Sequence, residues 1–251
     1  MSADKKTLLV TGGSRGIGAA ICRQASQAGY RVAVNFVSNR AVAEALVAEL
    51  KAAGGEAIAV KGDVGNEADV LAMFEAVDKG FGRLDAFVNN AGIVDAKARV
   101  DEMSAARVER MMRVNVVGSF LCAREAVKRM STRHGGKGGG IVNISSAAAR
   151  LGSPGEYVDY AASKGAIDTL TIGLAREVVL EGIRVNAVSP GITDTEIHAS
   201  GGQPDRVARM RDMLPMKRPG TADEVASAVL YLLSDAASYI TGAILNVSGG
   251  R

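Results

Sequence analysis

Leu8-Leu9-Val10-Thr11-Gly12-Gly13-Ser14-Arg15-Gly16-Ile17-Gly18 is the stretch on which the reading of the fold turns. Residues 8–10 form a short continuous apolar run, the pattern of a strand buried on both faces. Residues 16–28 show helical periodicity, so a strand passes directly into a helix through a turn of glycine and small polar residues. The glycines are spaced G-x-x-x-G-x-G at 12, 16 and 18. Glycine permits the tight turn and lets backbone N–H groups approach a ligand closely. The helix N-terminus adds partial positive charge, which suits a pyrophosphate. Gly12, Ser14, Arg15, Gly16, Ile17 and Gly18 are the candidate contacts.

Six further apolar runs follow, at residues 32–34, 57–60, 86–88, 141–144, 183–188 and 244–247. Helical periodicity separates them, at 40–52, 68–81, 105–130, 157–181 and 222–233. Short strands alternating with helices indicate a parallel sheet covered on both faces. The expected architecture is α/β, a doubly wound parallel seven-stranded sheet of the Rossmann type, in one domain over residues 1–251. Residues 189–220 break the rhythm, holding four of the five prolines and only a short helical pattern near 205–213. This segment follows the sixth strand, where open α/β sheets bind ligands, so 192–215 reads as a substrate lid, with a plain surface loop as the alternative. Its polar candidates are Glu196, His198 and Arg206. The tract HGGKGGG at 134–140 lacks the phosphate-loop pattern, precedes a strand and reads as a flexible connector.

Composition narrows the function. Thirty basic against 27 acidic residues give a net charge of +3, too balanced for a nucleic-acid footprint. Two cysteines, Cys22 and Cys122, and two distant histidines, His134 and His198, support neither a disulfide framework nor a metal site. The polar N-terminus has no secretory apolar region, and no apolar run reaches membrane-span length, so a cytoplasmic protein is expected.

Tyr160-Ala161-Ala162-Ser163-Lys164 lies in helical sequence, and a four-residue spacing puts Tyr160 and Lys164 on one face. An ammonium about 4 Å from the phenol contributes roughly 4 kcal/mol at an effective dielectric of ~20. Half of that lowers the tyrosine pKa by one to two units, enough for acid–base work. The fifth strand ends in Ser145-Ser146, and a hydroxyl there can hold a carbonyl oxygen as charge develops on it. The fourth ends in Asn89-Asn90-Ala91-Gly92. Asn115 sits among apolar neighbours within a helix, a position asparagine disfavours, so it has either a buried polar role or a purely structural one.

Taken together, TGGSRGIG at 11–18, Asp63-Val64, NNAG at 89–92, Asn115, Ser146, YAASK at 160–164, and Pro190-Gly191 with Thr195 resemble the short-chain dehydrogenase/reductase family of the single-domain type. The match spans essentially the whole chain. Within the family it is similar to bacterial glucose-dehydrogenase-like and 3-oxoacyl-carrier-protein-reductase-like enzymes. The resemblance implies a hydride transfer between a nicotinamide dinucleotide and a carbonyl or secondary alcohol. It implies Tyr160 as proton donor or acceptor, and Lys164 on the nicotinamide ribose, lowering the Tyr160 pKa. Ser146 rather than Ser145 would hold the substrate oxygen, and Asn115 would support a water-linked proton relay. Asp63 and Val64 would lie along the adenine, and Asn90, Ala91 and Gly92 along its ribose. Pro190, Gly191, Thr193 and Thr195 would meet the nicotinamide end; Thr193 stands where the family often has an aliphatic residue. Self-association as a homotetramer, through helical stretches 105–130 and 157–181, is implied as well.

NADP is the expected cofactor, with NAD possible. In NAD-binding Rossmann folds a carboxylate near the end of the second strand accepts hydrogen bonds from the ribose. Here that position is Asn35, and Phe36, Val37 and Ser38 follow without one. Asn35, Ser38 and Arg15 are candidate contacts, Arg15 as the cation for a 2′-phosphate or as a solvated loop residue. The competing functions are an NAD-dependent sugar dehydrogenase and a dinucleotide sensor without turnover.

Overall fold

The structure, a computed structural model, describes residues 5–251, apart from the side chain of His198. In chain order, β1 (Thr7–Val10) leads to α1 (Gly16–Gln27), β2 (Arg31–Phe36) to α2 (Arg40–Ala52) and β3 (Glu56–Lys61) to α3 (Glu67–Phe81). β4 (Ala86–Asn89) is followed by α4 (Ala105–Met112), a π-helical turn (Arg113–Val117) and α5 (Gly118–Met130). β5 (Gly139–Ile144) precedes α6 (Ala148–Leu151) and α7 (Val158–Val178). β6 (Ile183–Pro190) leads through α8 (Ile197–Ser200) and α9 (Arg206–Met210) to α10 (Ala222–Leu233) and β7 (Ile244–Val247).

The strands form one parallel sheet in the order β3-β2-β1-β4-β5-β6-β7. The doubly wound seven-stranded expectation therefore holds. Successive side chains of a strand point to opposite faces. Leu8 and Val10 accordingly pack with Val32, Val34 and Val88 against Ile21, Leu46 and Val229, which come from α1, α2 and α10. Leu9, between them, packs with Ala33, Phe87 and Ile141 against Phe74, Cys122 and Val178 from α3, α5 and α7. Both faces being covered, the strands have no polar side, which is why they read as continuous apolar runs. The strand order reverses between β1 and β4, and the crevice beyond their carboxyl ends is where such sheets bind ligands.

Three expectations need correction. Residues 105–130 do not form one helix: α4 and α5 are joined by the π-helical turn, which centres on Asn115. The tract 134–140 is not a flexible connector. Its amides are pinned, Gly136 N–H donating to Ser131 O at 2.9 Å and Gly138 N–H to Met130 O at 2.7 Å, and Gly139 already begins β5. Only glycine fits there: a Cβ on Gly139, at φ 153, would lie 2.1 Å from Asp85 O. The irregular segment begins at Gly191 rather than Ser189, since β6 runs to Pro190; the helical pattern near 205–213 is there, as α9 and a 3-10 turn at Arg211–Met213, and α8 is added before it.

Candidate active site

A cavity of about 700 Å³ opens beyond the carboxyl ends of β1, β2, β4, β5 and β6. Its floor is the glycine turn. Gly12 (φ 59) and Gly16 (φ 50) adopt left-handed backbone. A Cβ on Gly18 would fall 2.4 Å from Gly12 O and 2.7 Å from Asn90 Nδ2, so this turn closes only with glycine. Arg15 is the N-cap of α1 but its side chain makes no capping bond, and the first turn carries no acid. The first amides of a helix have no intrahelical acceptor. Those of Gly16, Ile17 and Gly18 border the cavity without a side-chain cap, an arrangement suited to an anion.

The end of β4 is tied to this turn. Asn90 Nδ2 donates to Thr11 O at 2.8 Å and to Gly12 O at 3.1 Å, and Thr11 Oγ1 accepts from Asn90 N at 2.9 Å. Asn90, Ala91 and Gly92 stand on the wall, as do Asp63 and Val64 from the end of β3. Asp63 Oδ1 accepts from Gly65 N at 2.8 Å, which fixes its carboxylate. Asn35 does not contact the cavity, contrary to expectation. It is fully buried; its Oδ1 accepts from Gly12 N at 3.0 Å and its Nδ2 donates to Gly62 O at 3.0 Å. It is a strut behind the turn. The wall at the end of β2 is instead Phe36, Val37, Ser38 and Asn39, none of them acidic.

Ser146, Tyr160 and Lys164 meet on the opposite wall. β5 ends two residues before Ser146, whose Oγ accepts from Ala148 N at 3.1 Å and stands close enough to the Tyr160 phenol to favour its ionised form. Burial holds that phenol above its ordinary range, and Ser146 works against the shift. Lys164, one helical turn on, is 5% exposed and donates from Nζ to Ile144 O at 2.7 Å. Burial lowers its ammonium to about 8, and the Asp168 carboxylate acts the other way. The expected lowering of Tyr160 by Lys164 is absent from this arrangement. The ammonium is drawn to the Ile144 carbonyl, 5.7 Å from the Tyr160 ring centre, and desolvation of the phenol dominates. The neighbouring Ser145 and Tyr157 have other partners. Ser145 Oγ lies 3.4 Å from Lys164 O, and Tyr157 accepts a hydrogen bond from Gln203.

Asn115 is 1% exposed and lies behind Gly92, off the wall. Its Oδ1 accepts from Ile93 N at 2.8 Å, and its Nδ2 donates to Ile93 O and Ser163 Oγ, each at 3.0 Å. Its carboxamide therefore holds the β4 loop against α7. The place where a Gly92 Cβ would sit is 3.4 Å from Asn115 Oδ1 and 3.5 Å from Lys164 Nζ, so the backbone there packs directly on both.

Pro190, Gly191, Thr193 and Thr195 close the cavity from β6 and the segment after it, with Ile192, Glu196, Ile197, Ser200 and Arg206. Thr195 lies 3.5 Å from the Cβ position of Gly16, across the glycine turn. Two features were not foreseen from sequence. Arg107 and Asp159 form a buried bidentate pair (2.8 and 3.2 Å), and Asp159 Oδ1 also accepts from Tyr160 N at 2.9 Å. Arg206 and Gln203 clip the segment after β6 onto Glu156 and Tyr157. Only the sequence spacing i,i+1 of Asp159 and Tyr160 hinted at the first.

Among the described residues, no three His, Cys, Asp or Glu side chains gather as a metal site, and no helix is long and apolar enough to cross a membrane. The uncapped glycine turn, a wall without acids at the end of β2, and a phenol–ammonium–hydroxyl cluster fit a dinucleotide lying across the sheet edge.

Fold and site together define an oxidoreductase of the Rossmann type. The chain belongs to the short-chain dehydrogenase/reductase family: the family model described as enoyl-(acyl carrier protein) reductase matches residues 12–251. An uncharacterised oxidoreductase of Escherichia coli is 54% identical over 243 residues, covering 97% of this chain and 98% of that one. The crystal structure of 3-ketoacyl-(acyl-carrier-protein) reductase from Brucella melitensis, complexed with NADH, superposes with a TM-score of 0.90 at 32% identity, covering 98% of each chain. A short-chain dehydrogenase from Burkholderia cenocepacia, in complex with NADP, gives 0.88 at 33% identity, covering 98% and 97%.

Proposed function

We propose that the protein reduces a carbonyl to a secondary alcohol, or runs the reverse, with NADP(H) in the cavity described and a small molecule beneath the segment 192–215. The observation that carries this is the Ser146–Tyr160–Lys164 cluster on the wall that continues into the uncapped glycine turn. The dinucleotide supplies the hydride. The chain supplies position and a proton. Ser146 Oγ holds the carbonyl oxygen, and Tyr160, whose burial favours the protonated phenol, donates a proton to that oxygen. Lys164 binds the nicotinamide ribose; Asn115 acts as a positioning residue, holding Ile93 and Ser163 around it. Val64, Ala91, Thr193 and Thr195 border the cofactor, and Gly191 lets the β6 end pack against Ser248.

NADP is favoured over NAD because Ser38 and Asn39 replace any carboxylate at the end of β2 and Arg15 lines the same cavity. Arg40 is turned instead to Glu44 at 3.0 Å and to the Phe36 ring. The solved relatives with NADH and with NADP support either dinucleotide in such a cavity. The test is nicotinamide absorbance over a panel of ketones, with both cofactors. Tyr160→Phe is expected to lose ~10²–10⁴-fold in turnover while retaining cofactor binding. Arg15→Ala is expected to erase the NADPH preference. Undiminished turnover in the first variant removes Tyr160 from the chemistry; unchanged discrimination in the second removes Arg15 from the 2′-phosphate site.

A further inference from the structure

We propose that Arg206 reads a carboxylate on the substrate, so that the protein acts on hydroxy or oxo acids in preference to neutral alcohols and ketones. This rests on the reductase reading above and adds its substrate class. Arg206 opens α9 and stands on the wall of the cavity that also holds Ser146 and Tyr160. Its side chain is only 9% exposed. Buried charges are normally paired, and a guanidinium has five N–H donors to satisfy. Here Nη2 donates to Glu156 Oε2 at 2.6 Å, and the guanidinium carbon lies 5.1 Å from the centre of the Tyr157 ring. Nη1 is shielded from solvent and has no hydrogen-bond partner.

The described wall offers no acid to complete it. Asp63 is fixed on Gly65 N at the far end, and Glu196 stands 3.8 Å from the Cβ position of Gly16, against the glycine turn. Local charge also favours an anion. Glu156 is held below the ordinary carboxylate range, against its own burial, by Arg206 first, with Lys97 and Arg209 adding to the effect. The group is fixed from both sides. Tyr157 and Glu156 follow a turn in which Ser153 takes left-handed backbone (φ 46) and its carbonyl accepts from both their amides. Gln203, bonded to Tyr157 and Arg209, anchors the segment one turn before Arg206. A planar, pre-positioned guanidinium recognises the two oxygens of a carboxylate better than it does a neutral group. The carboxylate takes no part in the bond changes: hydride goes to the carbonyl carbon and the Tyr160 proton to its oxygen.

The test is calorimetric binding to the NADP⁺-loaded protein of 2-hydroxypropanoate and 3-hydroxybutanoate, each against its methyl ester, with turnover of the same pairs. At least one acid is expected to bind tenfold or more tightly than its ester. Arg206→Gln should abolish that difference, read as the ratio of acid to ester affinity within the variant. Glu156→Gln, which keeps the guanidinium and removes its internal competitor, should tighten acid binding. Equal binding of acid and ester in the wild type, or discrimination that survives Arg206→Gln, overturns the proposal. Turnover of neutral ketones without acid preference does so too, while leaving the reductase reading intact. Acid discrimination that depends on Arg206, with no turnover of any carbonyl, supports the anion site and overturns the reductase reading instead.

Discussion

Lys164 is held in a state that the fold itself disfavours. Burial lowers its pKa from 10.5 to about 8, with only the Ile144 carbonyl and the Asp168 charge in compensation. That shift corresponds to a penalty on the charged form of about 3 kcal/mol. Between about pH 8 and 10.5 the unfolded chain binds this proton and the folded chain does not, so stability rises with pH across the window. Below pH 8 both states are protonated and the penalty is fully present. Lys164→Met in the cofactor-free protein is therefore expected to be more stable than the wild type at pH 7, by up to about 3 kcal/mol, with the gap closing toward pH 10. Urea unfolding of both proteins from pH 7 to 10 measures it, and a gap independent of pH contradicts the assignment. Strain of this kind is what a site tuned for proton work accumulates.

The buried Arg107–Asp159 pair binds α4 to the start of α7, and through the Tyr160 amide it sets where the phenol stands. Removing one partner of a buried ion pair leaves an uncompensated charge and typically costs 3–5 kcal/mol. Arg107→Ala should lose about that much in denaturant unfolding. Loss of under about 1 kcal/mol would mean the pair behaves as an exposed one. The same elements show what sequence could convey. Strand and helix alternation, the glycine turn and Tyr160–Lys164 are periodic or local patterns, and they stand where the pattern put them. Asn35 is ambiguous in sequence because a buried strut and a ligand contact have one and the same residue type at one and the same strand end; only its bonds to Gly12 and Gly62 separate them. The π-helical turn at 113–117 keeps helical periodicity on both sides and so left no mark beyond Asn115 itself. Arg107–Asp159 and Arg206–Glu156 join residues about 50 apart, and no spacing rule reports such contacts.

Several large apolar side chains stand exposed on the described surface. Val117 and Phe120, in and just after the π-helical turn, are 49% and 52% exposed, and Ile172 on α7 is 38% exposed. β7 forms one edge of the sheet, pairing among the described residues with β6 alone, and Leu245 on it is 37% exposed with Tyr239 fully so nearby in sequence. A large exposed apolar surface marks an association site, and an unpaired strand edge is usually covered. Two separate surfaces, one helical and one at the sheet edge, suit two isologous contacts, and two such contacts generate a tetramer with dihedral symmetry. The homotetramer that the family resemblance implies would be of this kind, with residues 105–130 and 157–181 supplying the helical contact. Phe120→Asp combined with Ile172→Asp should break that contact and leave the sheet-edge contact intact, giving a dimer in sedimentation equilibrium. Because α7 carries Tyr160 and Lys164, the double variant should also lose turnover as it dissociates, and regain it at protein concentrations that restore the tetramer. A wild-type protein that sediments as a monomer at micromolar concentration, or a double variant that stays tetrameric, would show that these surfaces are not the contacts.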